Sequence, residues 1–161
     1  MTDDLHPFIT AWRTRDVHLW AAHFAPDIVL RSPIIETTFV GSSSAAELFS
    51  VLFESFGEFE ITEHFANGQS HAFFWHGTLG RHTVEGVDRI RHDDDDKIAE
   101  ITVYIRPLVG IATLASGFGP ALAARRSRTR GLLTRATTLP LRTVFVTIDR
   151  IATRLIRRKP R

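Results

Sequence analysis

Gly86-Val87-Asp88-Arg89-Ile90-Arg91-His92, the four carboxylates Asp93 to Asp96, and Lys97-Ile98-Ala99-Glu100-Ile101-Thr102-Val103-Tyr104-Ile105-Arg106-Pro107-Leu108 together decide the fold. Both flanks alternate with the period of two that a half-buried strand requires, so the acidic segment is the turn of a β-hairpin. On the first strand Asp88 shares a face with Gly86 and Ile90, while Arg89 and Arg91 share the other with Val87. The arginines belong in water, so Asp88 points at the core. A carboxylate there is costly unless it is hydrogen-bonded, protonated or in use, which makes Asp88 the leading site candidate.

Upstream of the hairpin the order is helices, then strands. Leu5, Phe8, Ile9 and Trp12 recur at helical spacing, and Val17, Leu19, Trp20 and Phe24 continue in a second helical stretch ending near Pro26. Asp27 to Ser32 is a short strand stopped by Pro33. Ser42 to Ser44 can cap a third helix that buries Leu48, Phe49, Leu52, Phe53 and Phe56. Residues 59–66, 71–79, 82–91 and 98–108 then read as four strands joined at Asn67-Gly68, at Gly80 and at the acidic turn.

With 161 residues and 12 phenylalanines the chain fills one core, with material left for an appendage. The absence of cysteine excludes disulfides, thiolate nucleophiles and thiolate metal sites, and is compatible with a reducing cytoplasm. Met1 to Pro7 lacks the basic flank and apolar run of a secretory signal, and no run is expected to span a bilayer. The expectation is a cytoplasmic protein, peripheral to a membrane at most. The formal charge of +2 hides a division: residues 1–109 hold 8 basic and 17 acidic residues, a net −9, whereas residues 110–161 hold 12 and 1, a net +11. An acidic body carries a basic tail.

Two or three helices followed by a meander of long strands is the order of the nuclear transport factor two superfamily, which includes ketosteroid isomerases and polyketide cyclases. The chain resembles its SnoaL-like branch over residues 5–110. The resemblance rests on Phe24-Ala25-Pro26-Asp27, Ser32-Pro33, Phe39-Val40-Gly41, Glu85-Gly86-Val87-Asp88, Ile98-Ala99-Glu100 and Arg106-Pro107-Leu108. It implies an α+β fold: a cone-shaped cystatin-like roll over residues 1–110, its N-terminal helices packed on a curved antiparallel sheet. A basic helical extension over residues 111–161 is added to it. The resemblance further implies an apolar pocket for a small hydrophobic ligand, needing no cofactor, and a homodimer formed through the sheet. Phe8, Trp12, Trp20, Ser32, Phe39, Phe56, Trp75 and Val103 are the candidates for the pocket wall, although large aromatics are also what any core of this size needs.

Catalytic positions carry over unevenly. Asp88 falls on the buried, protonated aspartate of the ketosteroid isomerase oxyanion hole, a worked example of a carboxyl kept neutral by an apolar site. The isomerase base falls on Ser32, whose hydroxyl is no base near neutral pH, and the oxyanion-hole tyrosine falls on Phe8, which has no donor. The aspartate of limonene epoxide hydrolases falls on Val103, and the Arg-x-Asp pair is missing, so epoxide opening is not expected. SnoaL-type cyclases use a histidine with an aspartate, for which His76 or His82 could pair with Asp88. Trp75 inward is the preferred parity, which sends His76 outward. Asp88 can equally be a structural acid satisfied by the indole of Trp12 or Trp75.

No metal site is expected. The eight histidines show no ligand spacing and read as scattered over the surface, and the acidic turn does not fit an EF-hand. In the tail, residues 111–124 read as a short helix broken at Gly117-Phe118-Gly119-Pro120, and Arg125 to Arg130 as a linker. Leu141, Val144, Phe145, Ile148, Ile151, Ala152, Leu155 and Ile156 then recur at three and four residues, with Arg142, Arg150, Arg154, Arg157 and Arg158 mostly off the stripe. This basic amphipathic helix can dock on the body or a second subunit, or lie on an anionic membrane. Nucleic acid ranks last, since no base-reading or stacking element accompanies the charge. Three readings follow: a binder or processor of a small hydrophobic molecule, a cyclase or isomerase using Asp88 with His76, and a non-catalytic membrane-attached interaction protein.

Overall fold

The computed structural model describes residues 6–156. Leu5, Arg157 and Arg158 lie outside the described residues, as do the side chains of Leu141, Arg142, Arg150, Ala152, Arg154, Leu155 and Ile156. Helix α1 (Pro7–Thr14) begins with proline, whose missing N–H costs nothing at that position. Helix α2 (Val17–Ala21) is capped by Asp16, whose carboxylate accepts from the amides of His18 at 2.9 Å and Leu19 at 3.1 Å. Phe24 is not the end of that helix, as its spacing suggested, but the start of strand β1 (Phe24–Arg31). Strand β2 (Phe39–Val40) leads to α3 (Ser42–Ser55), and Gly41 rather than a serine stands at the helix N-cap, at φ 91°. Arg15 joins the helices: its guanidinium donates to the carbonyls of Phe53 and Phe56, both at 2.9 Å, and of Gly57, where α3 presents its partially negative end.

The four long strands are β3 (Phe59–Asn67), β4 (Ser70–Leu79), β5 (His82–His92) and β6 (Ile98–Arg106). Sheet order is β2-β1-β6-β5-β4-β3. The sheet is mixed rather than wholly antiparallel, because β1 runs parallel to β6 while the other neighbours are antiparallel. The acidic turn is built as a hydrogen-bonded loop, with Asp93 Oδ1 accepting from the amides of Asp95 at 3.0 Å and Lys97 at 2.8 Å. Parity on β5 is as the alternation demands: Val84, Asp88 and Ile90 are buried and Arg89 and Arg91 are exposed. On the outer face Arg31, Arg89 and Arg91 gather around Glu100 at 2.9, 3.4 and 3.8 Å, a solvent-screened network of modest worth.

The core lies between the helices and the inner sheet face, and it is largely aromatic: Phe8, Trp12, Trp20, Phe49, Phe53, Phe73 and Trp75 belong to it. It also extends past residue 110. Helix α4 (Leu108–Arg126) runs unbroken through Gly117 and Pro120, contrary to the interruption expected there, and inserts Leu114 and Phe118 into the same cluster. Its segment Leu108–Arg125, with mean hydropathy 1.3, has the length and composition to cross a membrane, which the sequence reading had not allowed. Part of that apolarity is used inward, at Val109, Ala112, Leu114 and Phe118. Only Ser127 separates α4 from α5 (Arg128–Ile156), so the expected linker is itself helical. The two helices pack antiparallel, closely enough that a β-carbon on Gly131 would stand 2.8 Å from that of Ala124.

Candidate functional site: a buried acid in an apolar cavity

Asp88 is 2% exposed and Trp75 4%. The two sit on adjacent antiparallel strands, where Trp75 pairs with Gly86, two residues before Asp88 on the same face. The indole crosses diagonally over Gly86, and Trp75 Nε1 donates to Asp88 Oδ1 at 3.0 Å. A β-carbon on residue 86 would stand 2.2 Å from Cζ2 of Trp75 and 2.6 Å from the carbonyl oxygen of Tyr104. Glycine is thus a space requirement of the Trp75–Asp88 contact, which gives the Gly-x-Asp spacing a physical meaning. Burial pushes the Asp88 carboxyl up to about 7, with the indole hydrogen bond pulling the other way. Near neutral pH the group is divided between acid and carboxylate, and the acid form can donate a hydrogen bond.

Among the described residues Asp88 is the only ionisable group on a cavity otherwise walled by Trp12, Leu30, Ser32, Pro33, Ile34, Leu48, Leu52, Phe56, Trp75, Val103, Ile105, Leu114 and Phe118. In this conformation the cavity measures about 20 Å³, room for roughly one water molecule. Trp12, whose Nε1 is buried without a hydrogen-bond partner among the described residues, belongs to the same wall. Ser32 Oγ accepts from the amide of Ile34 at 3.1 Å and thereby shapes the turn that closes β1.

Of the residues expected at the pocket, Asp88, Trp12, Ser32, Phe56, Trp75 and Val103 meet there. Phe8 and Trp20 do not: they are buried in the neighbouring part of the core, with ring centres 5.5 Å apart. Phe39 lines a separate groove between the β1 turn and the α4–α5 pair. His76 is on the outer sheet face, 3.2 Å from Glu60 and opposite in parity to Asp88, so geometry denies it a shared reaction with that acid. Leu114 and Phe118 were missed because the resemblance stops at residue 110, yet both line the cavity from α4.

The histidines are not all scattered. His6 before α1, His64 on β3, His71 on β4 and His92 at the end of β5 converge at one end of the sheet. His6 Nε2 lies 2.9 Å from His92 Nε2, and His64 Nε2 lies 3.0 Å from His71 Nδ1. Burial, followed by the neighbouring histidines, lowers His6 to about 3, and His64 and His71 are lowered as well, chiefly by burial. No linear spacing announces this group, since its members are 58, 7 and 21 residues apart and only the register of β3, β4 and β5 joins them.

Comparison with known proteins places these features in context. Residues 5–101 match the SnoaL-like domain family. A steroid delta-isomerase from Pseudomonas aeruginosa superposes with TM-score 0.71 at 25% identity, over 74% of this chain and 89% of its own. A protein with a cystatin-like fold from Silicibacter pomeroyi DSS-3 gives 0.67 at 24% identity, over 83% of this chain and 96% of its own. That share exceeds residues 1–110, so its likeness reaches into the tail. A provisionally named SnoaL-like polyketide cyclase from Shewanella denitrificans OS-217 gives 0.51 at 17% identity, over 62% and 85% of the two chains. The last two likenesses concern the fold alone. None of the curated proteins matches the chain.

Proposed function

As the chain belongs to the SnoaL-like domain family, we propose that its cavity binds a small, mainly apolar molecule through a hydrogen bond donated by protonated Asp88. The observation that carries this reading is one buried acid in an apolar wall, its carboxyl raised to about 7 and half satisfied by Trp75. An acid in that state suits a carbonyl or developing oxyanion of a polyketide, terpenoid or steroid-like compound. With serine at the position of the isomerase base, binding stands ahead of turnover. A cyclase or isomerase reading survives only through Asp88 as proton donor, since a carboxyl poised near neutral pH is suited to general acid work.

A molecule of that size needs a few hundred Å³, so the wall must yield. Leu114 and Phe118 form the part of the wall contributed by α4. Native mass spectrometry of the full chain is expected to show a co-purifying species of a few hundred daltons. Phe118→Ala is expected to raise its occupancy while destabilising the protein by about 3–5 kcal/mol, the usual cost of emptying a buried phenylalanine site. Absence of any bound species from both proteins, together with no uptake of added steroid or aromatic polyketide, would reject this reading.

The tail supports a second, compatible role. Val144, Ile148 and Ile151 recur at four and three residues on α5 and are about half exposed, and Leu132 and Leu133 nearer its start are more exposed still. We place this stripe on an anionic membrane, to which the exposed Arg128, Arg130 and Arg135 would add about 1 kcal/mol each near the surface. Flotation is expected to carry the protein with phosphatidylserine vesicles at low salt, and V144S/I148S/I151S to abolish it. Equal recovery of the two proteins would exclude membrane attachment. The homodimer contact is assigned to the outer sheet face, where Phe65, Phe74 and Tyr104 are exposed.

A further inference from the structure

We propose that His6, His71 and His92 bind a divalent transition-metal ion of the zinc class, with its fourth coordination position open to the adjoining cleft. One ring nitrogen of each lies within 4.8 Å of those of the other two. The ring centres stand 4.7, 5.1 and 5.2 Å apart. An ion held tetrahedrally by imidazoles at about 2.0–2.1 Å sits roughly 3.2 Å from each ring centre, which separates the centres by about 5 Å. The ring centres therefore stand at the spacing of a coordinated set, and the nitrogens, within 4.8 Å of one another, need only close to the roughly 3.3 Å that tetrahedral bonds of about 2.0–2.1 Å require. The cleft beside them is bordered by Thr10, Leu19, His23 and Asp96, which leaves solvent access to the open side.

Proton positions favour the same conclusion. His92 Nδ1 is 3.2 Å from the main-chain oxygen of Asp96, which can only accept, so Nδ1 carries the proton and Nε2 presents its lone pair to the cluster. The Asp96 carboxylate lies 3.2 Å from the same Nδ1, and a carboxylate behind a histidine ligand is the usual second layer of a metal site. His71 Nδ1 is taken up by His64, which leaves Nε2 as its ligand atom. His6 is the one that must change. Its Nδ1 accepts from the amide of Phe8 at 3.2 Å, so its proton rests on Nε2, the atom facing His92. Coordination through Nε2 moves that proton to Nδ1 within the same neutral ring and gives up the Phe8 contact, with no net proton released.

The donor set selects the ion. Three imidazole nitrogens with no thiolate suit Zn²⁺, Co²⁺, Ni²⁺ or Cu²⁺ and do not suit Mg²⁺ or Ca²⁺, which require oxygen. An ion here would join the segment preceding α1 to β4 and to the end of β5, clamping the first helix to the sheet. Stacking alone explains less: His64 lies parallel to Phe73 with centres 4.2 Å apart, but His6 and His92 meet edge to face at 81°, nitrogen to nitrogen.

The test uses the full-length, untagged protein freed of metal by chelation. Calorimetric titration with ZnCl₂ is expected to give one ion per chain with Kd at or below the micromolar range, and CoCl₂ to give the visible bands of a four-coordinate ion. MgCl₂ is expected to give neither. His71→Phe, which keeps the ring stack, is expected to weaken Zn²⁺ binding at least tenfold, and His92→Gln likewise, whereas His18→Gln on α2 leaves it unchanged. Imidazole nitrogen NMR of the parent protein is expected to show the His6 proton moving from Nε2 to Nδ1 on Zn²⁺ addition, a readout independent of how the variants fold. Zn²⁺ uptake that His71→Phe does not weaken, or a His6 tautomer unaffected by Zn²⁺, would overturn the proposal.

Discussion

Asp88→Asn is expected to make the protein more stable at pH 8 by about 4 kcal/mol and to leave its stability unchanged at pH 4. In the folded chain the carboxyl ionises near 7, and in the unfolded chain near its ordinary 3.8. Between those values the folded state holds the proton that the unfolded state has lost. Stability therefore falls as pH rises from about 4 to about 7, and is level above that. A difference of roughly three pH units corresponds to about 4 kcal/mol at pH 8. Asparagine keeps the shape and an oxygen acceptor for Trp75 Nε1 but has no charge to bury, so it escapes this loss. Denaturant unfolding of parent and variant at both pH values measures the difference, in which contributions from the histidine cluster cancel. A difference independent of pH would mean that folding leaves the Asp88 carboxyl at its ordinary unfolded pKa, with no burial effect on its ionisation.

Gly86→Ala is expected to destabilise the protein by about 3 kcal/mol, at the upper end of overpacking costs because two fixed groups crowd the new methyl. The β-carbon would meet the Trp75 ring at 2.2 Å and the Tyr104 carbonyl at 2.6 Å, and the latter is part of β6 and cannot swing aside. The indole must leave its place, and Asp88 then loses the hydrogen bond donated by Trp75 Nε1. Thermal unfolding reads the cost, and the indole Nε1–H resonance of Trp75 reads the broken contact. By contrast Gly68→Ala, at a hairpin turn with open space around it, is strained only by its φ of 58° and is expected to cost about 1 kcal/mol. Equal effects at the two glycines would contradict the steric account.

What the sequence disclosed about the site follows from periodicity. Strand alternation placed Asp88 inward, because period two is enforced along each strand, but it left the indole partner open between Trp12 and Trp75, which the register of β4 on β5 decides for Trp75. For β4 alternation gave only a preference, Trp75 inward, and the pairing of His76 with Glu85 and its contact with Glu60 put the histidine on the outer face. Helix α4 was misread because Gly117 and Pro120 weaken an isolated helix, whereas burial of Leu114 and Phe118 against the sheet supports this one through tertiary contact. Pocket membership of Phe8, Trp20 and Phe39 could not be separated from core membership, since both demand the same residue types. The histidine cluster was illegible for a different reason: its members meet across three strands and a chain end, and no local spacing encodes that meeting.

The central claim is that Asp88 is a protonatable acid inside an apolar cavity. The most direct measurement is the pH titration of its side-chain carboxyl by carbon-13 NMR, followed together with Trp75 Nε1–H. The account predicts a midpoint near 7 and an indole resonance that moves with the same midpoint. A midpoint near 4, with the indole indifferent to it, would contradict the account and leave the cavity without its acid.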